Sequence, residues 1–299
     1  MNNQHDQVAK ALIEALPALL RLKGEIVVVK YGGSAMENER LVEGVLRDVI
    51  LLAAVGIFPV VVHGGGKLIS KAMREANLQP VFIQGMRYTD EATIKIIEKT
   101  FNESITPVIA NRIVELGAKA CAISGVEVLK ARKLFVKLPM TKGKAKDSPQ
   151  EPIDLGLVGE VTEVKTAVIT ACIRRGEIPV ISPIAVDKQG QRYNVNADVA
   201  ASAVAEALKA NTLIFLSDVN GVLRNASDPN SRIPVLTEKQ IADLCKQGVI
   251  DGGMLPKLDS AMAAIRAGVK NVYLLDGRMP HGLLLKLFTR ADVGTEIHI

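Results

Sequence analysis

Tryptophan is absent from this chain, and Tyr and Phe are so few that aromatic residues make up only 3% of its 299 positions. Proteins that hold single-stranded nucleic acid by stacking need such rings, so that class is disfavoured at the outset. Cysteine is equally sparse. Cys121, Cys172 and Cys245 are odd in number, far apart and without CxxC spacing, which indicates neither a disulfide framework nor a zinc site but reduced thiols. No basic start followed by an apolar core opens the chain, where His5, Asp6 and Glu14 fall instead, so no signal peptide is expected. Long hydrophobic runs are missing too: the longest, residues 49–62, contains Gly56 and Pro59 and falls short of the ~20 residues needed to span a bilayer. A soluble cytoplasmic protein is the expectation.

What the chain does have is a hydrophobic content of 48%, ample for the core of one large α/β unit or two lobes. Its net charge of +5 suits an anionic small molecule as well as a polymer, and decides little alone. Val8, Leu12, Leu16, Leu19 and Leu20 recur at helical spacing, so the segment before Gly24 reads as an amphipathic helix, kinked at Pro17, that needs an apolar surface to lie on. Short β-branched runs follow at residues 27–30, 59–62, 179–181, 213–216 and 272–275. Helical patterns at 39–55, 91–116, 199–209 and 257–267 lie between them. Strands alternating with helices predict a mostly parallel sheet covered on both faces, with ligands at the carboxyl ends of the strands. Residues 131–164 break the pattern, being charged and containing Pro139, Pro149 and Pro152. They read as hairpins and an exposed loop whose lysines, 142–146, form a solvated surface.

Five clusters carry chemistry-bearing residues. The run VVVKYGGS delivers Lys30 from a buried strand directly into Gly32 and Gly33, a seat for phosphate. A Walker A loop places its Lys after the glycines and follows it with Ser or Thr, so this is a different design. His63, Gly64, Gly65, Gly66 and Lys67 stand between a strand and a helix, where backbone N–H groups can approach an anion; a plain tight turn would look the same. The spacing is not GxGxxG, because Ile69 takes the last position. Asn194, Asn196 and Asp198 lead into an apolar helix, where Asp198 could simply charge the helix start. Ser217, Asp218, Asn220 and Gly221 follow a strand and suit either a common turn or a nucleotide loop. Finally Gly252, Gly253 and Lys257 open a helix, where the dipole disfavours a lysine unless something such as phosphate offsets it.

These clusters, in this order, resemble the amino acid kinase family, and within it the branch that phosphorylates N-acetyl-L-glutamate in arginine biosynthesis. The resemblance runs from about residue 7 to 297 and rests on VVVKYGGSAM, PVVVHGGGK, GMRYTDEAT, VGEVTEV, YNVNADVAASAVAEALKA, LSDVNGVL and GGMLPK. It implies a three-layer αβα sandwich with a mainly parallel central sheet. An N-terminal helix (1–24) would serve oligomerisation, residues 25–209 would form the amino-acid lobe and 210–299 the ATP lobe. Lys30 and Lys257 would stabilise the transition state and Asp198 would organise them. Gly65, Gly66, Arg87 and Asn194 would hold the acetylated substrate; Gly32, Gly33, Ser217, Asp218, Asn220 and Gly221 would border ATP, whose phosphates carry Mg²⁺ with no metal ligand from the protein. The nucleophile of such a reaction, a carboxylate with an ordinary pKa near ~4.3, is ionised at pH 7 and needs no general base. The rivals are a kinase of a carrier-linked aminoadipate and a non-catalytic amino-acid sensor on the same fold, although a sensor should have lost a catalytic cation, whereas Lys30, Asp198 and Lys257 are all present.

The N-terminal helix resembles the extension of arginine-inhibited members, which implies a hexamer built as a trimer of dimers. Those members have a Tyr just after the helix proline, where this chain has Ala18, an acidic residue where it has Lys286, and a Gly at Asp292. A lysine repels a guanidinium, so weak or absent arginine feedback is expected, unless Asp292 pairs with Lys286.

Overall fold

Val27, Val28 and Val29 are completely buried because the strand that contains them, β1 (Ile26–Tyr31), occupies the middle of a sheet. In this computed structural model, residues 2–36, 38–83, 85–136, 153–225, 227–250 and 252–299 are described; the expected lysine-rich loop at 142–146 lies outside them. On one side β1 pairs in parallel with β2 (Phe58–His63), then with the strands Ile178–Ile181 and Ala120–Ile123. On its other side come Thr212–Ser217 and Asn271–Asp276, again parallel. Thr295–His298 then joins antiparallel and Val235–Thr237 ends the eight-stranded sheet.

Side chains alternate between the two faces of the strands and sort the core into two apolar clusters. Val28, Val60 and Val62 pack with Ala200 and Val204 of the helix Ala197–Ala207 and with Leu258 and Ala261 of the helix Met254–Arg266. Val27, Val29 and Val61 pack with Leu46, Val49 and Leu52 of α2 (Glu39–Ala54) and with Ile97 and Ile113. The result is helices, sheet, helices: the expected three layers, with both faces of the parallel strands covered.

The structure departs from the sequence expectation in several places. The helical pattern over residues 91–116 is not one helix, but Glu91–Lys99, a π-helical stretch Thr100–Ile105, and Thr106–Glu115. Pro107 supplies no N–H to the preceding turn, and the wider π turn just upstream is where the break is absorbed. Three strands of the main sheet, Ala120–Ile123, Val235–Thr237 and Thr295–His298, were not among those the sequence pattern predicts. They lie toward the sheet's two ends and are short. The expected hairpin is present: Leu129–Val136 pairs antiparallel with Ile153–Val164, and Ile184–Val186 and Arg192–Asn194 close these strands into a small barrel. Cys121, Cys172 and Cys245 are free thiols, as expected, and Cys121 and Cys172, far apart in sequence, come together beside Glu177.

Residues Asn2–Leu22 form one helix, α1, with Pro17 inside it. Ala15, Ala18, Leu19 and Leu22 rest against the second apolar cluster, whereas Val8, Leu12, Ile13, Leu16 and Leu20 face outward. Among the described residues no helix is long and apolar enough to cross a membrane.

Candidate active site

Neighbouring parallel strands end at the same level, so β1 and β2 release their glycine loops side by side. The Gly64 N–H donates to the Tyr31 carbonyl at 2.7 Å and ties the loops together. At Gly33 the backbone has φ +69°, and a Cβ there would stand 2.1 Å from Asp218 Oδ1. Only glycine lets the first loop lie against the end of the strand Thr212–Ser217. A Cβ on Gly65 would strike Ile105 Cδ1 at 2.6 Å, while one on Gly66, which opens α3 (Gly66–Glu75), would meet nothing within 4 Å.

Lys30, at the end of β1, points into this junction. Its Nζ lies 3.1 Å from Asp198 Oδ1, and Lys257 Nζ donates to Asp198 Oδ2 at 2.8 Å. One buried carboxylate thus holds two ammonium groups from opposite parts of the chain. The Lys30 contact is an ion pair without hydrogen-bond alignment, since Oδ1 has no hydrogen-bond partner. Burial works against ionised Asp198, but Lys30 and Lys257 together outweigh it and hold its pKa below the usual carboxylate range. Burial also lowers the pKa of Lys257, with Lys30 adding to the effect and Asp198 opposing it. Asp198 does place a carboxylate in the first turn of its helix, but the N-cap is Asn196, which accepts from the Asp198 N–H at 2.7 Å.

Gly33, Gly64, Gly65 and Gly66 and the Lys30–Asp198 pair line a cavity of about 830 Å³, together with Arg87, Asn194 and an apolar wall that includes Phe82, Met86 and Val158, while Gly32 and Lys257 lie outside that lining. Arg87 is buried, its guanidinium stacked 4.7 Å from the Phe82 ring centre. Its Nη2 donates to the Gly66 carbonyl and to Ser70 Oγ, both at 2.8 Å, so Arg87 braces the glycine loop as well as facing the cavity. Burial lowers its pKa, and Arg74 adds repulsion. Asn194 is placed by pairing with Val158 in the small barrel, and its Nδ2 donates to Thr89 Oγ1 at 3.2 Å.

The Ser217–Gly221 loop is a neighbour of this cavity rather than part of its lining. Asp218 lies against Gly33, and its charge also favours ionised Lys257. Gly221, at φ +77°, lies where a Cβ would meet Thr295 Oγ1 at 2.4 Å, and Thr295 in turn accepts from the Val222 N–H. That glycine therefore serves loop packing. Asn220 Oδ1 is buried without a hydrogen-bond partner. Gly32 sits where a Cβ would be 3.0 Å from Lys30 Nζ.

His63 was part of a sequence cluster but was assigned no role; the structure gives it one. Its Nδ1 lies 2.7 Å from the Gly64 carbonyl and must be the donor there, so Nε2 accepts from Thr106 Oγ1 at 2.8 Å. Burial pushes its pKa down to about 4, which leaves a neutral ring bracing the glycine triplet from below. The signal in the sequence was a polar residue ending an otherwise apolar buried strand. Away from the site, the alternative in which Lys286 pairs directly with Asp292 is not the contact formed. Asp292 pairs with Arg232 at 2.7 Å, because Arg232 already donates to the Asp292 and Gly294 carbonyls; Lys286 pairs with Glu296 at 3.4 Å and lies over the Tyr273 ring.

Residues 25–276 match the family model described as the amino acid kinase family. The acetylglutamate kinase of Carboxydothermus hydrogenoformans is 43% identical over 288 residues, covering 96% of both chains. That of Methanocaldococcus jannaschii is 41% identical and covers 97% of this chain and 95% of its own. Among solved structures, N-acetylglutamate synthase from Neisseria gonorrhoeae, complexed with coenzyme A and N-acetyl-glutamate, superposes with a TM-score of 0.80 at 24% identity. This chain spans 97% of its own length but only 63% of that longer protein, so the likeness is one of fold. Carbamate kinase from Giardia superposes with a TM-score of 0.62 at 16% identity, again a likeness of fold.

Proposed function

Because the chain belongs to the amino acid kinase family, with acetylglutamate kinases above 40% identity along almost its whole length, we infer that it phosphorylates N-acetyl-L-glutamate on its side-chain carboxylate, using ATP. The product is an acyl phosphate on the route to arginine. The observation that carries this reading is the Lys30–Asp198–Lys257 cluster set beside a cavity rimmed by glycine loops.

The chemistry asks for little acid–base help. The attacking carboxylate is already ionised, and the obstacle is bringing it against an anionic phosphoryl group. Lys30 and Lys257 would face the transferring group from two sides, their charge most valuable where negative charge gathers in the transition state. Asp198 takes no proton; it fixes both ammonium groups and keeps them from repelling one another apart. Backbone N–H groups of Gly65 and Gly66 would add donors on the substrate side, where Arg87 and Asn194 would bind the α-carboxylate and acetamido end. Gly32 and Gly33 would lie along the nucleotide phosphates, with the loop of Ser217, Asp218, Asn220 and Gly221 behind them. Among the described residues Asp198 is already paired with both lysines, so a Mg²⁺ ion would be carried by the ATP phosphates rather than by protein ligands. There it would supply charge neutralisation.

In this reading residues 25–209 serve the amino-acid substrate and 210–299 the nucleotide, and the enzyme works in the cytoplasm. The apolar outer face of α1, with Leu12, Leu16 and Leu20 uncovered, supports assembly of dimers into a hexamer. An ATP-dependent hydroxamate assay tests the activity: acetylglutamate should yield hydroxamate while carrier-linked aminoadipate derivatives do not. Turnover of the latter alone, or of neither, would overturn the assignment.

A further inference from the structure

We propose that Cys121, Cys172 and Glu177 form a binding site for a thiophilic divalent cation of the zinc class, separate from the phosphoryl-transfer site. One ligand atom from each of the three lies within 4.8 Å of the others, the one such group among the described residues. Two sulfurs bound to a common Zn²⁺ at ~2.3 Å each stand roughly 3.8 Å apart, so only a small inward movement is required. Cys172 is fully buried, while Cys121 and Glu177 are partly accessible, which gives an ion a way in.

The three residues come from three elements that need holding together. Cys121 lies on Ala120–Ile123, the terminal strand of the sheet, paired with a single neighbour. Cys172 lies near the end of the helix Thr166–Arg174, and Glu177 immediately precedes the strand Ile178–Ile181. The cluster sits where that strand begins, whereas the cavity residue Pro183 follows its end. A bound ion would therefore staple the sheet's edge without touching the chemistry.

Charge and coordination both fit. Arg175 Nη2 contacts Cys172 Sγ at 3.3 Å and Glu177 Oε2 at 2.7 Å, and Arg175 Nε also donates to Oε2. Glu177 thus keeps its second oxygen outside that pair. As each metal–sulfur bond forms, its thiol proton leaves to solvent. A divalent ion replaces two protons, so the local charge is unchanged and the cation Arg175 faces no added positive charge. Two thiolates and one carboxylate select Zn²⁺ or Cd²⁺ over Mg²⁺ or Ca²⁺, which prefer oxygen throughout, and leave a fourth position for water.

The test uses the full chain, stripped with chelator and kept reduced, titrated with Cd²⁺ and then with Zn²⁺. One Cd²⁺ per chain should bind with a thiolate-to-metal charge-transfer absorption, and Zn²⁺ at a hundredfold excess over Kd should raise Tm by roughly 5 °C. Cys121→Ser and Glu177→Gln should each weaken binding at least about tenfold, while Cys245→Ser leaves it intact. Cys121→Ser decides the matter even if substitution of buried Cys172 prevents folding. A charge-transfer band that survives Cys121→Ser, one that disappears in Cys245→Ser, or no binding at millimolar Cd²⁺ would each overturn the site.

Discussion

Lys257 Nζ donates a 2.8 Å hydrogen bond to Asp198 Oδ2, although 59 residues separate the two in the chain. The pair is largely shielded, with side chains 12% and 11% exposed, and Lys30 occupies the other side of the same carboxylate, so neither lysine can be changed without altering the field of the other. Asp198→Asn leaves two ammonium groups without their counter-charge. We expect a loss of about 3 to 5 kcal/mol of stability in urea denaturation together with a collapse of kcat. Lys257→Met should lower kcat at least about a hundredfold while KM for either substrate changes far less, because the charge it meets develops in the transition state. Steady-state kinetics with both substrates varied would show this, and an unchanged kcat would remove Lys257 from the machinery.

Gly33 is expected to be intolerant of any side chain. A Cβ there would overlap Asp218 Oδ1, and the positive φ adds about 1 to 2 kcal/mol of backbone cost. Gly33→Ala should therefore raise KM for ATP with little effect on KM for acetylglutamate. Gly66→Ala, whose Cβ has free space, should fold normally. Equal effects on both substrates in the Gly33 variant would argue against its placement on the nucleotide side.

His63 predicts a pH dependence of stability. Its pKa falls from 6.5 to about 4 on folding, so between these values the unfolded chain binds more protons and stability is lost as pH falls. At pH 5 the loss from this one group is about 2 kcal/mol relative to pH 8. Urea denaturation of the parent and of His63→Gln at both pH values should show that share of the acid sensitivity missing from the variant.

The outward face of α1 supplies an assembly prediction. Leu12→Glu together with Leu16→Glu places two charges on a face that is already exposed in one chain, at 63% and 44%, so the fold should tolerate them. Sedimentation velocity should show hexamers for the parent and dimers for the variant, with kinase activity retained.

Arginine should inhibit weakly or not at all. The resemblance drawn from the sequence sets Lys286 where an acidic residue would hold a guanidinium, and Lys286 is engaged by Glu296 and the Tyr273 ring. A coupled assay with added arginine checks this; inhibition at micromolar arginine would refute it.

Lys30, Asp198 and the glycines were legible in the sequence because their kinds and order are chemically constrained: a cation at a strand end, glycines where backbone must approach backbone, a carboxylate at a helix start. The parallel sheet was legible for a similar reason, since strands buried on both faces leave continuous β-branched runs such as Val27–Val28–Val29. The strands at the sheet's ends were not, because Ala120–Ile123 and Thr295–His298 owe their conformation to a neighbour's hydrogen bonds rather than to their own composition.

By itself, then, the sequence determined the layered α/β architecture and the inventory of charges, both consequences of local pattern. The tertiary structure alone decided how groups meet: that Asp198 turns one oxygen to each of Lys30 and Lys257, that His63 reaches Thr106, that Arg232 rather than Lys286 takes Asp292, and that Cys121 reaches Cys172. Such pairings are set by strand order and loop closure over many tens of residues, and distances of a few ångströms across them leave no periodic trace in the chain.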